Sequence, residues 1–182
     1  MLRSIFREIA IFSLLAIFIV LPIRLFVAQP FVVEGASMDP TFKNGDYIIV
    51  DEISYRFHAP ERGDVITFRY PGDPSLFFIK RIIGLPGETV MISADTITIK
   101  KTDGSLLTLD EPYIDDGTMP FAYLTHTLNI DEFFVMGDNR ARSSDSRYWG
   151  SLPRENIMGR AFVRLLPPKE TSLWPGKATL PQ

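Results

Sequence analysis

The chain reads Phe77-Phe78-Ile79-Lys80-Arg81-Ile82-Ile83-Gly84 near its middle, and this run decides the fold class. Aromatic and β-branched side chains favour a strand, and an apolar run without polar alternation is typical of a strand covered on both faces. Side chains alternate between the two faces of a strand, so Lys80 and Arg81 point in opposite directions. We expect only one of these two cations to be buried.

Further apolar runs of the same kind lie on both sides of this strand. They are Tyr47-Ile48-Ile49-Val50, Val65-Ile66-Thr67-Phe68, Thr89-Val90-Met91-Ile92, Thr96-Ile97-Thr98-Ile99 and Phe133-Phe134-Val135-Met136. Turn residues such as Asn44-Gly45-Asp46 and Arg62-Gly63-Asp64 stand at the joins, where strand reversals need them. The sequence therefore predicts a mainly β fold, with an antiparallel sheet that is folded over or barrel-like.

The folded domain is expected to occupy residues 30–166. Within it, residues 88–132 are expected to form a small inserted region of β and irregular structure, because residues 111–130 are rich in turn-forming residues. Residues 167–182 contain four prolines, which predicts a loosely ordered tail.

The composition excludes several classes of protein. The chain has 182 residues, of which 46% are hydrophobic and 23% charged, and this balance is typical of one folded domain. The absence of cysteine excludes a disulfide framework, a zinc ribbon and a thiol nucleophile. Residues 31–182 carry no cluster of Lys and Arg, so nucleic acid is not expected as a partner. No motif predicts a metal or a cofactor.

An apolar segment near the N-terminus predicts a membrane anchor. Residues 9–28 contain one charged residue, Arg24, and a helix of about 20 residues spans the hydrocarbon core of a bilayer. Arg3 and Arg7 precede the segment, so residues 1–8 are expected in the cytoplasm and the β domain outside it. The alternatives are a cleaved signal peptide and a helix buried in a soluble core. Phe26 argues against cleavage, since a small residue is needed at that position.

Two residues have the properties of a nucleophile and its base. Ser37 lies in Glu34-Gly35-Ala36-Ser37-Met38-Asp39-Pro40-Thr41, whose Gly and Pro favour an irregular, fixed backbone. A serine in such a place is otherwise a turn or N-cap residue, because its hydroxyl needs a base to become a nucleophile. Lys80 is a candidate base, since burial in an apolar strand lowers the pKa of an ammonium group. The alternative for Lys80 is a solvent-facing or ion-paired lysine.

A polar loop follows the last apolar strand. Residues 137–147 read Gly-Asp-Asn-Arg-Ala-Arg-Ser-Ser-Asp-Ser-Arg, so hydroxyls, carboxylates and guanidinium groups lie close together. Loops of this kind often carry function, although a solvated turn or a cation site has the same composition. His58 and His126 lie in expected loops or strand edges and are not predicted to be functional.

Four segments in this order, behind an N-terminal anchor, resemble the type I signal peptidases. The segments are residues 34–41, 62–69, 78–87 and 137–147. The resemblance implies a membrane-bound Ser/Lys endopeptidase that removes signal peptides from exported preproteins. The spacing between the last two segments is that of a compact, single-anchor member. Lys80 indicates the bacterial or organellar branch, and we expect the bacterial cytoplasmic membrane.

The resemblance also implies roles for individual residues. Ser37 is the nucleophile and Lys80 the general base, a variant of the catalytic triad that needs no histidine. Ser143 is expected to form a hydrogen bond that orients the lysine amine, while Asp145 and Arg147 pair to hold the loop.

The resemblance implies a site for an oxyanion and for small substrate side chains. The backbone N–H of Ser37 is one expected oxyanion donor, but Gly35 stands where some relatives have a second donor, a hydroxyl. Substrates of the family carry small residues at the first and third positions before the cleaved bond. The residues expected to line the two pockets, or alternatively to be ordinary core, are Phe31, Val33, Met38, Phe42, Phe78 and Ile79.

Other functions remain compatible with these motifs. One is a processing peptidase with a single dedicated substrate, and another is a self-cleaving repressor of related fold, which the predicted anchor disfavours. A third is a catalytically inactive, membrane-tethered β module that only binds. The expected partners of the peptidase are preproteins that carry signal peptides and the lipid bilayer.

Overall fold

The computed structural model describes residues 2–20, 28–94, 96–114 and 123–182. The chain begins with helix α1 (Leu2–Leu15), which continues as a π-helical turn at Ala16–Val20. The predicted anchor over residues 9–28 includes residues 21–27, which lie outside the described residues. Among those described, the structure contains no helix of sufficient length and apolar character to span a membrane.

Most of the remaining described residues form strands. They are β1 (Ala28–Val32), β2 (Tyr47–Asp51), β3 (Val65–Tyr70), β4 (Asp73–Gly84), β5 (Thr89–Ser93), β6 (Thr96–Lys100), β7 (Leu106–Thr108), β8 (Tyr123–Thr127), β9 (Glu132–Met136), β10 (Leu152–Pro153), β11 (Ile157–Leu166) and β12 (Ser172–Leu173). A second short helix, α2, spans Ser146–Trp149. Single 3-10 turns lie at Ser54–Arg56, Arg140–Arg142, Arg154–Asn156 and Pro168–Glu170.

Eight strands form the main antiparallel sheet. Seven of them follow the order β1-β2-β11-β3-β4-β9-β10, and β12 pairs with β11. In the part of the chain that the structure describes, this path ends at β1 and β10, so hydrogen bonds between these two strands do not close it. The prediction of a mainly β fold is confirmed.

The six strands expected from apolar runs are all present, as β2, β3, β4, β5, β6 and β9. The sequence pattern misses β11, because Gly159 and two arginines interrupt its apolar character. Gly159 is needed for the close approach of β11 to β2, since a Cβ at this position would lie 2.3 Å from the backbone oxygen of Asp51. The register of β11 with its other neighbour, β3, shifts at the same point, between Ile157 and Gly159.

A second, four-stranded sheet has the order β7-β6-β5-β8 and lies within the expected insert at 88–132. Val90 and Ile99 of this sheet pack against Ile83 and Phe134 of the main sheet, and all four are fully buried. The insert therefore shares a hydrophobic core with the main sheet.

Both cations of the central strand are buried, which corrects the expectation that only one would be. Lys80 is 4% exposed and Arg81 is 0% exposed. Arg81 forms a bidentate ion pair with Asp138, with Nε–Oδ1 and Nη2–Oδ2 distances of 2.9 and 2.6 Å. Its guanidinium also donates to the Gly63 carbonyl and lies 3.8 Å from the centre of the Tyr113 ring. These contacts compensate the charge of Arg81 and permit its burial.

The C-terminal residues 167–182 pack against the domain, contrary to the expectation of a loosely ordered tail. β12 pairs with β11, and Leu180 is 4% exposed. Buried Arg62 donates from Nε to the backbone oxygen of Pro181 at 2.8 Å. The prolines limit regular hydrogen bonding in this segment, but they do not prevent tertiary contacts.

Candidate active site

The segment that carries Ser37 leaves the edge strand β1 and is fixed by hydrogen bonds to the turn before β2. Val33 N–H donates to the Asp46 carbonyl at 2.9 Å, and Gly45 N–H donates to the Val33 carbonyl at 2.8 Å. Gly35 has a φ of +85°, which favours glycine, and its N–H donates to Asn44 Oδ1 at 2.9 Å. Ser37 therefore lies on an irregular backbone that hydrogen bonds to residues 44–46 hold in place on its N-terminal side.

Lys80 meets Ser37 across the interior of the domain. Lys80 Nζ lies 2.8 Å from Ser37 Oγ and donates to the Ile79 carbonyl, also at 2.8 Å. The Phe78 ring covers the amine, with its centre 5.3 Å from Nζ. The main sheet thus places a buried amine and a half-buried hydroxyl, 43 residues apart in the sequence, within hydrogen-bond distance.

The surroundings of Lys80 make its amine a usable base. Burial lowers the pKa of Lys80 from 10.5 to about 8, and the carboxylates of Asp145 and Asp138 oppose part of this effect. An amine with this pKa is neutral in a substantial fraction of molecules at mildly alkaline pH. The neutral amine can accept the Ser37 hydroxyl proton, which an ammonium group cannot.

The polar loop is held by the ion pair of Asp145 and Arg147. Both side chains are fully buried, and Arg147 donates to the two carboxylate oxygens of Asp145 at 2.8 Å each. Asp145 Oδ2 accepts from the Gly137 N–H at 3.0 Å, and Arg147 Nη2 donates to the Arg140 carbonyl at 2.8 Å. The pair therefore connects the beginning of the loop to its end.

Ser143 is buried beside the dyad but does not make the expected hydrogen bond to Lys80. Among the described residues, its Oγ has no hydrogen-bond partner. A Cβ on Gly137 would lie 2.3 Å from both Ser143 Oγ and the Ser37 carbonyl oxygen. Gly137 thus allows the loop to pack directly against the Ser37 backbone, and Asn139 N–H donates to the same carbonyl at 3.1 Å.

Asp138 connects the two halves of the site. Besides its ion pair with Arg81, it accepts from Thr41 Oγ1 at 2.5 Å. Arg81 follows Lys80 on β4, and Thr41 lies four residues after Ser37, so this one carboxylate ties both segments together. In the sequence, Asp138 is an acidic residue after the glycine of a polar loop. Its contacts with Arg81 and Thr41 cannot be predicted from this position, because both partners are distant in the chain.

A cleft of about 540 Å³ opens beside Ser37 and Lys80. Four of the expected substrate-binding residues line it, namely Phe31, Val33, Phe78 and Ile79. Met38 and Phe42 do not; they are 1% and 0% exposed and pack in the hydrophobic core beneath the site. Outside a regular strand, the sequence does not show which way each side chain points. Apolar residues of the core and of the cleft therefore cannot be distinguished there.

The two histidines lie away from this cleft. His58 is exposed, and His126 is within 2.7 Å of Ser151 Oγ through its Nε2. Neither residue lines the cleft. No group of His, Asp and Glu side chains in the described ranges is arranged to hold a metal ion.

A family model described as signal peptidase, peptidase S26, matches residues 6–166. The chain belongs to this signal peptidase family. Members of the family are serine peptidases, and this chain is accordingly a hydrolase that cleaves signal peptides.

Two relatives agree with the family match. Signal peptidase I of Leptolyngbya laminosa is 42% identical, over 84% of this chain and 76% of its own length. The probable signal peptidase I-2 of Synechocystis is 41% identical, over 84% of this chain and 69% of its own. A crystal structure of a signal peptidase I from Enterococcus faecalis V583 is 33% identical and gives a TM-score of 0.47, covering 57% of this chain and 97% of that chain.

Proposed function

We propose that this signal peptidase works by a Ser/Lys dyad, with Ser37 as nucleophile and Lys80 as general base. Neutral Lys80 takes the proton from Ser37 Oγ, which attacks the carbonyl carbon of the scissile bond. The resulting ammonium group gives its proton to the leaving amine, and an acyl-enzyme forms on Ser37. Lys80 then activates the water that hydrolyses this ester. The observation that carries the proposal is the 2.8 Å contact between Nζ and Oγ in a buried site.

The oxyanion of the tetrahedral intermediate is assigned to the Ser37 amide. No backbone hydrogen bond between described residues uses this N–H, so it is free to donate. Gly35 has no hydroxyl, and its own N–H is occupied by Asn44. A single donor at such a position contributes about 3–4 kcal/mol to the stabilisation of the transition state in comparable sites.

The loop at 137–147 supports the dyad in this proposal. Asp145 and Arg147 hold the loop against the Ser37 backbone, and the charge of Asp145 keeps the pKa of Lys80 from falling further. The buried hydroxyl of Ser143 supplies a partner for the lysine amine once Ser37 Oγ is acylated and can no longer interact with it.

The substrate is a preprotein with small side chains at the first and third positions before the cleaved bond. Phe31, Val33, Phe78 and Ile79 form an apolar wall along the cleft, which suits short side chains and an extended peptide. The edge of β1 next to the cleft offers backbone groups for such a peptide to pair with.

We further propose that residues 9–28 anchor the protein in the bacterial cytoplasmic membrane, with residues 1–8 in the cytoplasm and the β domain outside. The described part of this segment exposes large apolar side chains, among them Ile9, Phe12 and Phe18. Apolar surface of this extent on a helix is typical of contact with lipid. A cysteine introduced at position 4 should react with an impermeant reagent only from the cytoplasmic side; labelling only from outside would contradict this topology.

The dyad is tested with the full chain in detergent and a precursor protein that carries a signal peptide. Ser37→Ala and Lys80→Ala should each reduce kcat by about 10⁴-fold or more, as removal of a catalytic serine or its base does in other serine peptidases. Lys43→Ala is the matched control, since Lys43 is an exposed lysine near Ser37 that pairs with Glu170. Near-normal cleavage by either dyad variant would refute the mechanism. Binding without cleavage by the unmodified protein would indicate an inactive binding module.

A further inference from the structure

The cleft beside the dyad has a cation at its rim. Arg142 lines the cleft together with Ser144, and its side chain is exposed. Its backbone N–H donates to Asn139 Oδ1, but no ion pair or hydrogen bond of the guanidinium to another described residue is present. The other arginines of the loop, Arg140 and Arg147, are buried and paired with carboxylates. Arg142 is therefore the arginine of this loop whose charge faces the solvent in the cleft.

The cleft differs in chemistry between its two sides. The side formed by Phe31, Phe77 and Phe78 is apolar. The rings of Phe31 and Phe77 pack edge to face, with their centres 5.7 Å apart. The other side comes from the polar loop, which reaches Ser37 through the hydrogen bond from Asn139 N–H to the Ser37 carbonyl. Arg142 and the apolar rings therefore flank the nucleophile from different elements.

We propose that Arg142 selects substrates with an acidic residue directly after the cleaved bond. This inference rests on the proposed function, in which the apolar side holds the small residues before that bond. The chain that continues beyond the bond then leaves along the polar loop, where an Asp or Glu side chain can pair with the guanidinium. Among the described residues that line the cleft, Lys80 and Arg142 are the cations. Lys80 is buried, so the exposed Arg142 is available for this contact.

An exposed ion pair of this kind contributes modestly. Pairs on protein surfaces stabilise by about 0.2–1 kcal/mol, which corresponds to a change of up to about fivefold in kcat/KM. Repulsion of a Lys side chain acts in the opposite direction. We therefore expect kcat/KM to be about two- to tenfold higher for Asp than for Lys at this position, with a smaller ratio at high salt.

The test uses the full chain in detergent and three synthetic peptides. Each peptide has an apolar stretch and Ala-Xaa-Ala before the cleaved bond, and they differ only in Asp, Ser or Lys directly after it. The unmodified protein should cleave the Asp peptide best and the Lys peptide worst. Arg142→Gln should bring the Asp-to-Lys ratio close to one, and Arg142→Glu should invert it. Arg56→Gln, which changes an exposed arginine that lines a different cleft, should retain the normal ratio.

The outcomes separate this inference from the function on which it rests. If the unmodified protein fails to cleave even the Ser peptide, the proposed function is contradicted. If all three peptides are cleaved with equal kcat/KM, or if Arg142→Gln keeps the preference for Asp, the role of Arg142 is refuted while the dyad stands. A preference that persists unchanged at high salt also refutes it, because an exposed charge contact is screened.

Discussion

Replacing Lys80 with methionine is expected to abolish cleavage and, at neutral pH, to increase the free energy of unfolding. Burial lowers the pKa of this amine from 10.5 to about 8 in the folded protein. This difference in pKa corresponds to about 3 kcal/mol. The free energy of unfolding of the unmodified protein is lower by this amount while Lys80 is a buried ammonium group. Methionine has a similar length and no charge, so the variant avoids this penalty.

The sign of the effect depends on pH. The unfolded chain holds the Lys80 proton more tightly than the folded one, so the penalty is complete below about pH 8 and disappears as the pH rises towards 10.5. Methionine also loses the contacts of Nζ with Ser37 Oγ and the Ile79 carbonyl, at about 1 kcal/mol each. The variant should thus be about 1–2 kcal/mol more stable at neutral pH and less stable at pH 10.5.

Urea unfolding of the full chain in detergent, followed by the fluorescence of Trp149 and Trp174, measures this difference at both pH values. If Lys80→Met changes stability by the same amount at neutral pH and at pH 10.5, the amine has an ordinary pKa and the reasoning fails. The same pKa should appear in catalysis, as a rise of kcat/KM with a midpoint near pH 8. A midpoint close to the ordinary pKa of histidine would contradict Lys80 as the base.

Two further predictions concern parts of the structure outside the dyad. Arg147→Met should destabilise the protein by about 3–5 kcal/mol, because it leaves the Asp145 carboxylate buried without its partner, and the double variant with Asp145→Asn should recover part of this loss in the same urea assay. Recovery of none of it would show that the pair is not the cause. Leu180→Ala should cost about 2–3 kcal/mol, as expected for a buried leucine, whereas a loosely ordered C-terminus predicts no change in the urea midpoint.

Local sequence patterns predict the strands of this protein well where burial is uniform. β3 and β9 are apolar because both of their faces pack in the interior, and such runs need no tertiary information to be recognised. The sequence pattern does not predict β11, because its two arginines and its glycine are not typical of a buried strand. In the structure the arginines pair with carboxylates, and the glycine permits close contact with a neighbouring strand. Both the ion pairs and the glycine contact depend on residues outside β11, so they cannot be predicted from its own sequence.

In the candidate site, too, some features can be predicted from the local sequence and others depend on tertiary contacts. The local sequence makes Ser37 and Lys80 candidates for a nucleophile and its base, and the resemblance to a family is what implies these roles. Met38 and Ile79 were equal candidates for the substrate pockets, yet Met38 packs in the core while Ile79 reaches the cleft. Which of two apolar side chains faces a cleft depends on the path of the backbone, and a local pattern cannot supply that path.

By itself, the sequence determines the mainly β character and the chemical types of the reactive groups, since both depend on side-chain composition over a few neighbouring residues. Only the tertiary structure decides that Lys80 and Ser37 touch, that Arg81 can be buried because Asp138 meets it, and that the exposed Arg142 lines the cleft. Each of these depends on segments far apart in the chain. Burial and ion pairing arise from such contacts, and they set the pKa values and the free charges on which the chemistry depends.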